Sequence, residues 1–348
     1  MALRKPGLLG AVALLVLTAS TLAGCSSKSS SGPPSEAAGS GANNHPDWSG
    51  FTFTIGDNGG DGAQELAAMT GVFDNAPYKV KFARFTYGPP LVQAAASGDI
   101  DLGPVGDVPP ITGAAKEYGF KIVAVERSLT PTQANENILV PSGSPIQSLA
   151  QLKGKRIAVP QGSSAHGLVL NALKSVGLTP KDVQLDFLSP AAGATAFATG
   201  KVDAWAIWNP QSAIAVKGGA RVLAKGLPPI DQTSSYYIAG NSTLSNPTKR
   251  AALTDVLERL AREFAWAVKN PDKYAQAIAK EDGISLADAK TAVAAEESRV
   301  TPVESADITL EQQLSDAFLD ADQISEKVDI NSIIENILPS GFDSSKEG

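Results

Sequence analysis

The chain has 348 residues, of which 43% are hydrophobic and 19% charged, with a net charge of −7, two histidines and one cysteine. A lone cysteine excludes an intrachain disulfide and a thiolate-ligated metal, and two histidines leave little for multi-histidine metal sites or acid–base catalysis. With no basic cluster in the mature part, nucleic acid is not an expected partner, and the length suits roughly two domains or lobes.

The chain opens on Arg4 and Lys5, followed by an uncharged apolar run from Leu8 to Leu17. A bilayer-spanning helix needs ~20 apolar residues, and Thr18, Ser20 and Thr21 dilute this run too early. Residues 1–24 therefore read as a secretory signal peptide with a small-residue cleavage site. The following Leu22-Ala23-Gly24-Cys25 resembles the lipobox of bacterial lipoproteins, where the thiol is acylated and becomes the first mature residue. The alternative is an ordinary cleaved signal followed by a chance cysteine. Residues 25–48, mostly Ser, Gly, Pro and Ala, read as lipid anchor and flexible linker, too polar to build a core. His45 lies there and has no assigned role.

From Phe51 short apolar runs alternate with helical stretches. Strands are expected at Phe51 to Gly56, Lys79 to Phe85, Leu102 to Val105, Lys121 to Val125 and Asn137 to Pro141. Further ones are expected at Arg156 to Pro160, Gln184 to Leu188, Val202 to Trp208 and Tyr236 to Gly240. Helices are expected at Pro90 to Ser97, Ile146 to Gln151, Ala165 to Val176 and Ala191 to Thr199. This alternation predicts an α/β fold with mainly parallel sheets. After Asn246 the chain reads as wholly helical: Pro247 to Val268, Pro271 to Glu281, Ser285 to Ser298 and Leu310 to Lys327.

In such folds ligands collect at the carboxyl ends of strands, where helix N-termini present free N–H groups. The sharpest candidate is Gln161-Gly162-Ser163-Ser164-Ala165-His166, between a strand and a helix. A glycine lets a backbone come close, serines cap and donate, and the helix start suits an anion; a plain N-cap reads the same way. Asp107, in Gly106-Asp107-Val108-Pro109-Pro110, is either a helix cap or a residue facing the cleft. Tyr87-Gly88-Pro89-Pro90 opens another helix, and Gly56 to Gly62 carries Asp57 and Asp61 on a glycine-rich loop. That loop lacks EF-hand spacing and a Walker lysine, so neither calcium nor a nucleotide phosphate fits it.

Strand alternation sends Trp205 and Trp208 to opposite faces, one to a core and Trp208 to the cleft. No catalytic constellation emerges. A Ser163/His166 dyad is too cramped along one helix start and lacks an orienting acid.

Gly-Asp-Val-Pro-Pro-Ile at 106–111, Gly-Ser-Ser-Ala-His at 162–166 and Asp-Ala-Trp-Ala-Ile-Trp-Asn-Pro at 203–210 together resemble the substrate-binding proteins of aliphatic-sulfonate ABC importers. The likeness extends to Ala94 to Gly103, Leu152 to Arg156, Gln232-Thr233 with Tyr236-Tyr237, and Val328-Asp329-Ile330. The wider family includes taurine, nitrate and thiamine-precursor binders. The resemblance implies a type II periplasmic-binding-protein fold, with two α/β lobes joined by crossovers near Glu136 to Pro141 and Tyr236 to Gly240. It places residues 51–135 and 242–338 in the first lobe, 136–241 in the second and 339–348 in a tail.

The resemblance also implies that sulfonate oxygens are held by Gly106, Asp107, Gly162, Ser163 and Ser164. Trp208 would pack on the organic part. Tyr87, Gly88, Glu136, His166, Asn209 and Tyr236 complete the candidate set, and Asp57 and Asp61 would meet any donor group on the ligand. Asn209-Pro210-Gln211 departs from the family's usual Asp-Pro-Tyr, and the acidic first loop is atypical of sulfonate binders. Those two carboxylates either point to solvent or select a ligand bearing an amine or hydroxyls.

The implied function is extracytoplasmic capture of a small organic anion such as an aliphatic sulfonate, by a monomer held at the membrane through Cys25. No cofactor or metal is implied. The partners are the ligand, a permease and, through it, an ATPase on separate chains. The alternatives are an amine-bearing or cationic nitrogen ligand, or a sensor that does not transport. A pyrimidine-synthase-like enzyme of the same fold would need a cofactor lysine and a reactive cysteine- and histidine-rich site, which this chain lacks.

Overall fold

The computed structural model describes residues 48–346, except 49, 59–61, 131 and 296. The segment expected to be a signal peptide and most of the expected linker, Cys25 included, lie outside the described residues, as does Asp61.

The first lobe begins β1 (Thr52–Asn58), α1 (Ala63–Thr70), β2 (Lys79–Phe85), α2 (Gly88–Ser97), β3 (Gly103–Gly106), α3 (Val108–Ala114) and β4 (Phe120–Ser128). The chain then crosses to a second sheet: β5 (Glu136–Val140), β6 (Arg156–Val159), α4 (Ser164–Ser175), β7 (Gln184–Phe187), α5 (Pro190–Ala198), β8 (Ala204–Trp208), α6 (Gln211–Lys217) and β9 (Arg221–Lys225). It returns through β10 (Ser234–Gly240) and continues with α7 (Asn241–Ser245), α8 (Pro247–Lys269), α9 (Pro271–Asp282), α10 (Leu286–Val293), β11 (Ser298–Thr301) and α11 (Ser305–Asp320).

In the first lobe β1 pairs with β2, and β11-β4-β10-β3 form a row. A parallel bridge from Ile55 to Leu102 joins the two groups. The second lobe orders its strands β7-β6-β8-β5-β9. The expectation of mainly parallel sheets is corrected here. The two returning strands run against their neighbours, β10 antiparallel to β3 and β4, and β5 antiparallel to β8 and β9. Each link between lobes delivers its strand from the opposite end of the sheet. Those links are 129–135 and 226–233, just before the expected crossover segments, which are themselves strands.

The wholly helical reading of the last hundred residues is also corrected. The helix expected to reach Ser298 stops at Val293, and β11 joins the edge of the first sheet through β4. Val300 is fully buried there, and its N–H donates to Ser344 Oγ at 2.8 Å, so the tail packs against this edge. The helix expected at Ile146 to Gln151 is a single 3-10 turn, Leu149–Leu152. β9 carries no helical or alternating signal strong enough to be read in advance.

Local chemistry explains the framework. In α8, Leu253, Val256, Leu257, Leu260 and Phe264 recur at helical spacing and bury with Phe53, Ile55, Val123 and Ala124 in the first lobe's core. Gly56 is needed in β1 because a Cβ there would lie 2.8 Å from Ile100. α11 seats Leu314 and Phe318 among Val108 and Ile111 of α3 and Leu170 of α4, so it touches both lobes.

Candidate functional site

The cleft between the sheets has a cavity of about 150 Å³, below the ~300–1,000 Å³ of drug-sized pockets, and so suits a small solute. The strand-to-helix turn into α4 forms part of its wall. Gly162 takes a left-handed φ of 71° to reverse the chain after β6. Ser163 is extended at φ −90°, and its Oγ donates to Pro160 O at 2.7 Å, bracing the turn. Gly162 N–H donates to His166 Nδ1 at 3.3 Å, which ties the turn to the helix's first coil. Ser163 and Ser164 line the cleft at the start of a 12-residue helix whose first N–H groups have no intrahelical acceptors. From the other lobe Gly106 meets this turn so closely that a Cβ on it would lie 2.9 Å from Ser164 Cβ.

The remaining polar lining is acidic. Asp107, Glu126, Glu136, Asp231 and Glu297 line the cleft, and no lysine, arginine or histidine does so among the described residues. Asp107 is 5% and Glu136 6% exposed. Gln232 Nε2 donates to Asp107 Oδ2 at 3.1 Å and to Glu311 Oε2 at 2.7 Å. Asp107 Oδ1 has no partner, and neither oxygen of Glu136 completes a well-formed hydrogen bond, although Ser164 and Asp231 lie close enough to perturb it.

Burial first, then the charge of Asp231, pushes the Asp107 carboxyl up to about 8. Burial first, then the charge and close approach of Asp231, holds Glu136 well above the usual carboxyl range. Burial also raises Glu126, partly offset by the Ser298 hydroxyl. Two like charges 4 Å apart cost about 4 kcal/mol at an effective dielectric of 20. That exceeds the roughly 1 kcal/mol a neutral hydrogen bond returns, so crowding these buried carboxyls together disfavours their ionised forms.

Of the expected ligand contacts, Gly88, Gly106, Asp107, Glu136, Ser163, Ser164 and Trp208 line the cleft. Trp205 is buried at 2%, as alternation along β8 requires. Asp61 lies outside the described residues, and the structure places the others away from the lining. Asp57 faces away from the cleft, 1% exposed, beside Arg84, Glu281 and Gln64, because in β1 it is the next residue, Asn58, that lines the cleft. Tyr87 precedes α2 as its N-cap and stays outside the lining. Gly162 turns toward Thr112 and Pro89 instead of the cavity.

His166 sits edge-on to Phe187 and Phe318, with ring centroids 5.2 and 5.1 Å away, and burial lowers it to about 4. It is a packed residue holding the turn. Asn209 is buried, its N–H donating to Asn135 O at 2.9 Å as β8 ends. Tyr236 is 1% exposed within the core of Leu91, Val105 and Ile122. Sequence reasoning missed Asn58, Glu126, Asp231 and Glu297. The first could have been found from its alternation with Asp57; the other three are gathered only by the folding of distant segments.

The sequence matches a family model described as NMT1/THI5 like over residues 67–274. An Escherichia coli (strain K12) protein named for binding aliphatic sulfonates is 35% identical over 263 residues, 74% of this chain and 79% of its own. Among solved structures, the alkanesulfonate-binding protein SsuA from Xanthomonas axonopodis pv. citri, bound to MOPS, is 30% identical with a TM-score of 0.75, covering 84% of this chain and 99% of its own. The periplasmic aliphatic sulphonate binding protein SsuA from Escherichia coli is 32% identical with a TM-score of 0.73, covering 84% and 95%.

Proposed function

Because the chain belongs to the NMT1/THI5-like family, beside binding proteins for aliphatic sulfonates, we propose that it captures a small aliphatic sulfonate between its lobes for delivery to an ABC permease. Its architecture is the type II periplasmic-binding-protein fold. The observation that carries the ligand reading is the start of α4, where Ser163 and Ser164 line the cleft. A helix start carries about half a positive charge and free N–H groups, which fit a sulfonate head. Trp208 supplies an aromatic face for the organic part.

The proposed action is capture without chemistry. The ligand bridges both lobes and shifts the population toward a closed form that docks on the permease. The protein works outside the cytoplasmic membrane as a monomer, held there by a lipid on Cys25. No helix among the described residues is long and apolar enough to cross a membrane.

Titration calorimetry with C2 to C4 alkanesulfonates tests the reading, and absence of binding to all of them at millimolar concentration overturns it. Ser164→Pro sharpens the test. Proline is tolerated at the first helical position, and Ser163 is already extended as a residue before proline must be. The variant keeps the helix but deletes one N–H donor. A lost hydrogen bond to a charged group costs about 1.5–3 kcal/mol, so affinity should fall roughly tenfold to a hundredfold. Ser164→Ala, which removes only the hydroxyl, should lose less.

A further inference from the structure

The α4 turn accounts for one end of a ligand, and the acidic wall lies close beside it. Glu136 and Asp107 are more than nine-tenths buried, line the cleft and hold carboxyl oxygens without hydrogen-bond partners. Asp231 is close to Glu136 and its charge acts on Asp107 as well; its Oδ1 accepts from Thr233 N–H at 2.6 Å, and its Oδ2 lies 3.2 Å from where a Cβ on Gly226 would stand. The same hypothetical Cβ would lie 2.9 Å from Glu136 Cγ, so the two carboxyl side chains flank one small gap. The described residues hold no cluster arranged for a metal ion. An ammonium offers three donors and no acceptor, which complements the unpartnered oxygens of Glu136 and Asp107 beside the Asp231 carboxyl.

We infer that the natural ligand is a zwitterionic aminoalkanesulfonate, with its ammonium on Glu136, Asp107 and Asp231 and its sulfonate at the start of α4. This rests on the sulfonate reading and adds the chemistry of the other end. The spacer is short, because Ser164, beside the sulfonate seat, is also close enough to Glu136 to influence it. The recognition residues come from the second lobe's β5, the start of α3 and the link 226–233, so a ligand spanning them ties together segments that move on closure. Asp57, buried away from the cleft, has no part in it.

The rival use of the wall is protonated carboxyls donating to the sulfonate itself. The two uses differ in sign with pH. Glu136 faces Asp107 and Asp231, and Asp107 faces Asp231 and, across Gln232, Glu311 on α11. No cation lines the cleft to counter them among the described residues. An ammonium needs these carboxyls ionised, so its binding strengthens as pH rises; a sulfonate that accepts from them binds more weakly as pH rises.

The experiment is calorimetric titration of the full mature chain with 3-aminopropanesulfonate, propanesulfonate and propylammonium, from pH 6 to pH 8.5. The aminosulfonate should bind at least tenfold tighter than propanesulfonate, with the ratio growing as pH rises. In Glu136→Gln, checked for folding by its thermal transition, the ratio should collapse toward one. Equal or tighter binding of propanesulfonate, or a ratio that shrinks with rising pH in the parent protein, overturns the inference and leaves the sulfonate reading standing. Binding of propylammonium with no response to either sulfonate overturns the sulfonate reading, and the zwitterion with it.

Discussion

His166 shows how one buried side chain changes its apparent role once its neighbours are known. In sequence it stands in the turn expected to hold an anion; in the fold it packs between Phe187 and Phe318 and accepts a backbone N–H from Gly162. Burial depresses it from 6.5 to about 4, so in the folded state it stays neutral where the unfolded chain takes up a proton. The unfolded state then binds more protons between those values, and stability falls as pH drops from 6.5 to 4, by roughly 3 kcal/mol in all. Glu281, raised to about 8 by burial and by Asp57, acts in the opposite direction and loses its contribution as pH rises from 4.5. Denaturation should therefore be compared between parent and His166→Phe, where the carboxyl effects cancel. The parent should lose stability relative to the variant on acidification, and parallel pH profiles would contradict the assignment.

At the scale of elements, α8 was legible because both ends and its stripe are written locally. Asn246 caps it, its side chain accepting from Thr248 N at 3.0 Å and Lys249 N at 3.1 Å, and Pro247 occupies the first turn. Asn246→Ala should cost about 1 kcal/mol, read as a lower midpoint in urea with an unchanged slope; no shift would mean that tertiary contacts alone hold the helix start. β2 was expected at Lys79 to Phe85 and has those limits, because alternation over seven residues is a backbone property. β9 and β11 were not legible. Arg221–Lys225 is bounded by charges, and Ser298–Thr301 is four residues after an alanine-rich helix, so each is a strand because a sheet edge receives it.

For the whole molecule, the narrow meeting of Gly106 and Ser164 makes closure sensitive to a single methyl group. The Cβ of Gly106→Ala would stand 2.9 Å from Ser164 Cβ, so the lobes must part by a few tenths of an ångström. Labels on the two lobes should move closer when a sulfonate is added to the parent protein. In the variant the distance should shorten less, and affinity should fall; identical shortening and affinity would show that the lobes do not meet there in the bound state. A ligand at a hundred times its Kd would add about 2.7 kcal/mol of stability, so the same titration can be followed by thermal melting.

The amino-acid sequence by itself determined the α/β alternation, the helix starts behind serine and proline, and the outward turn of Trp208. These depend on backbone period and capping, which act over a few positions. Only the tertiary structure decided the antiparallel crossovers, the withdrawal of Asp57, His166 and Tyr236 from the cleft, and the meeting of Asp107, Glu136 and Asp231 in one wall. Carboxyls far apart in the chain acquire a common electrostatic fate only when two sheets and the links between them bring them together, out of water, at distances where one charge feels the next.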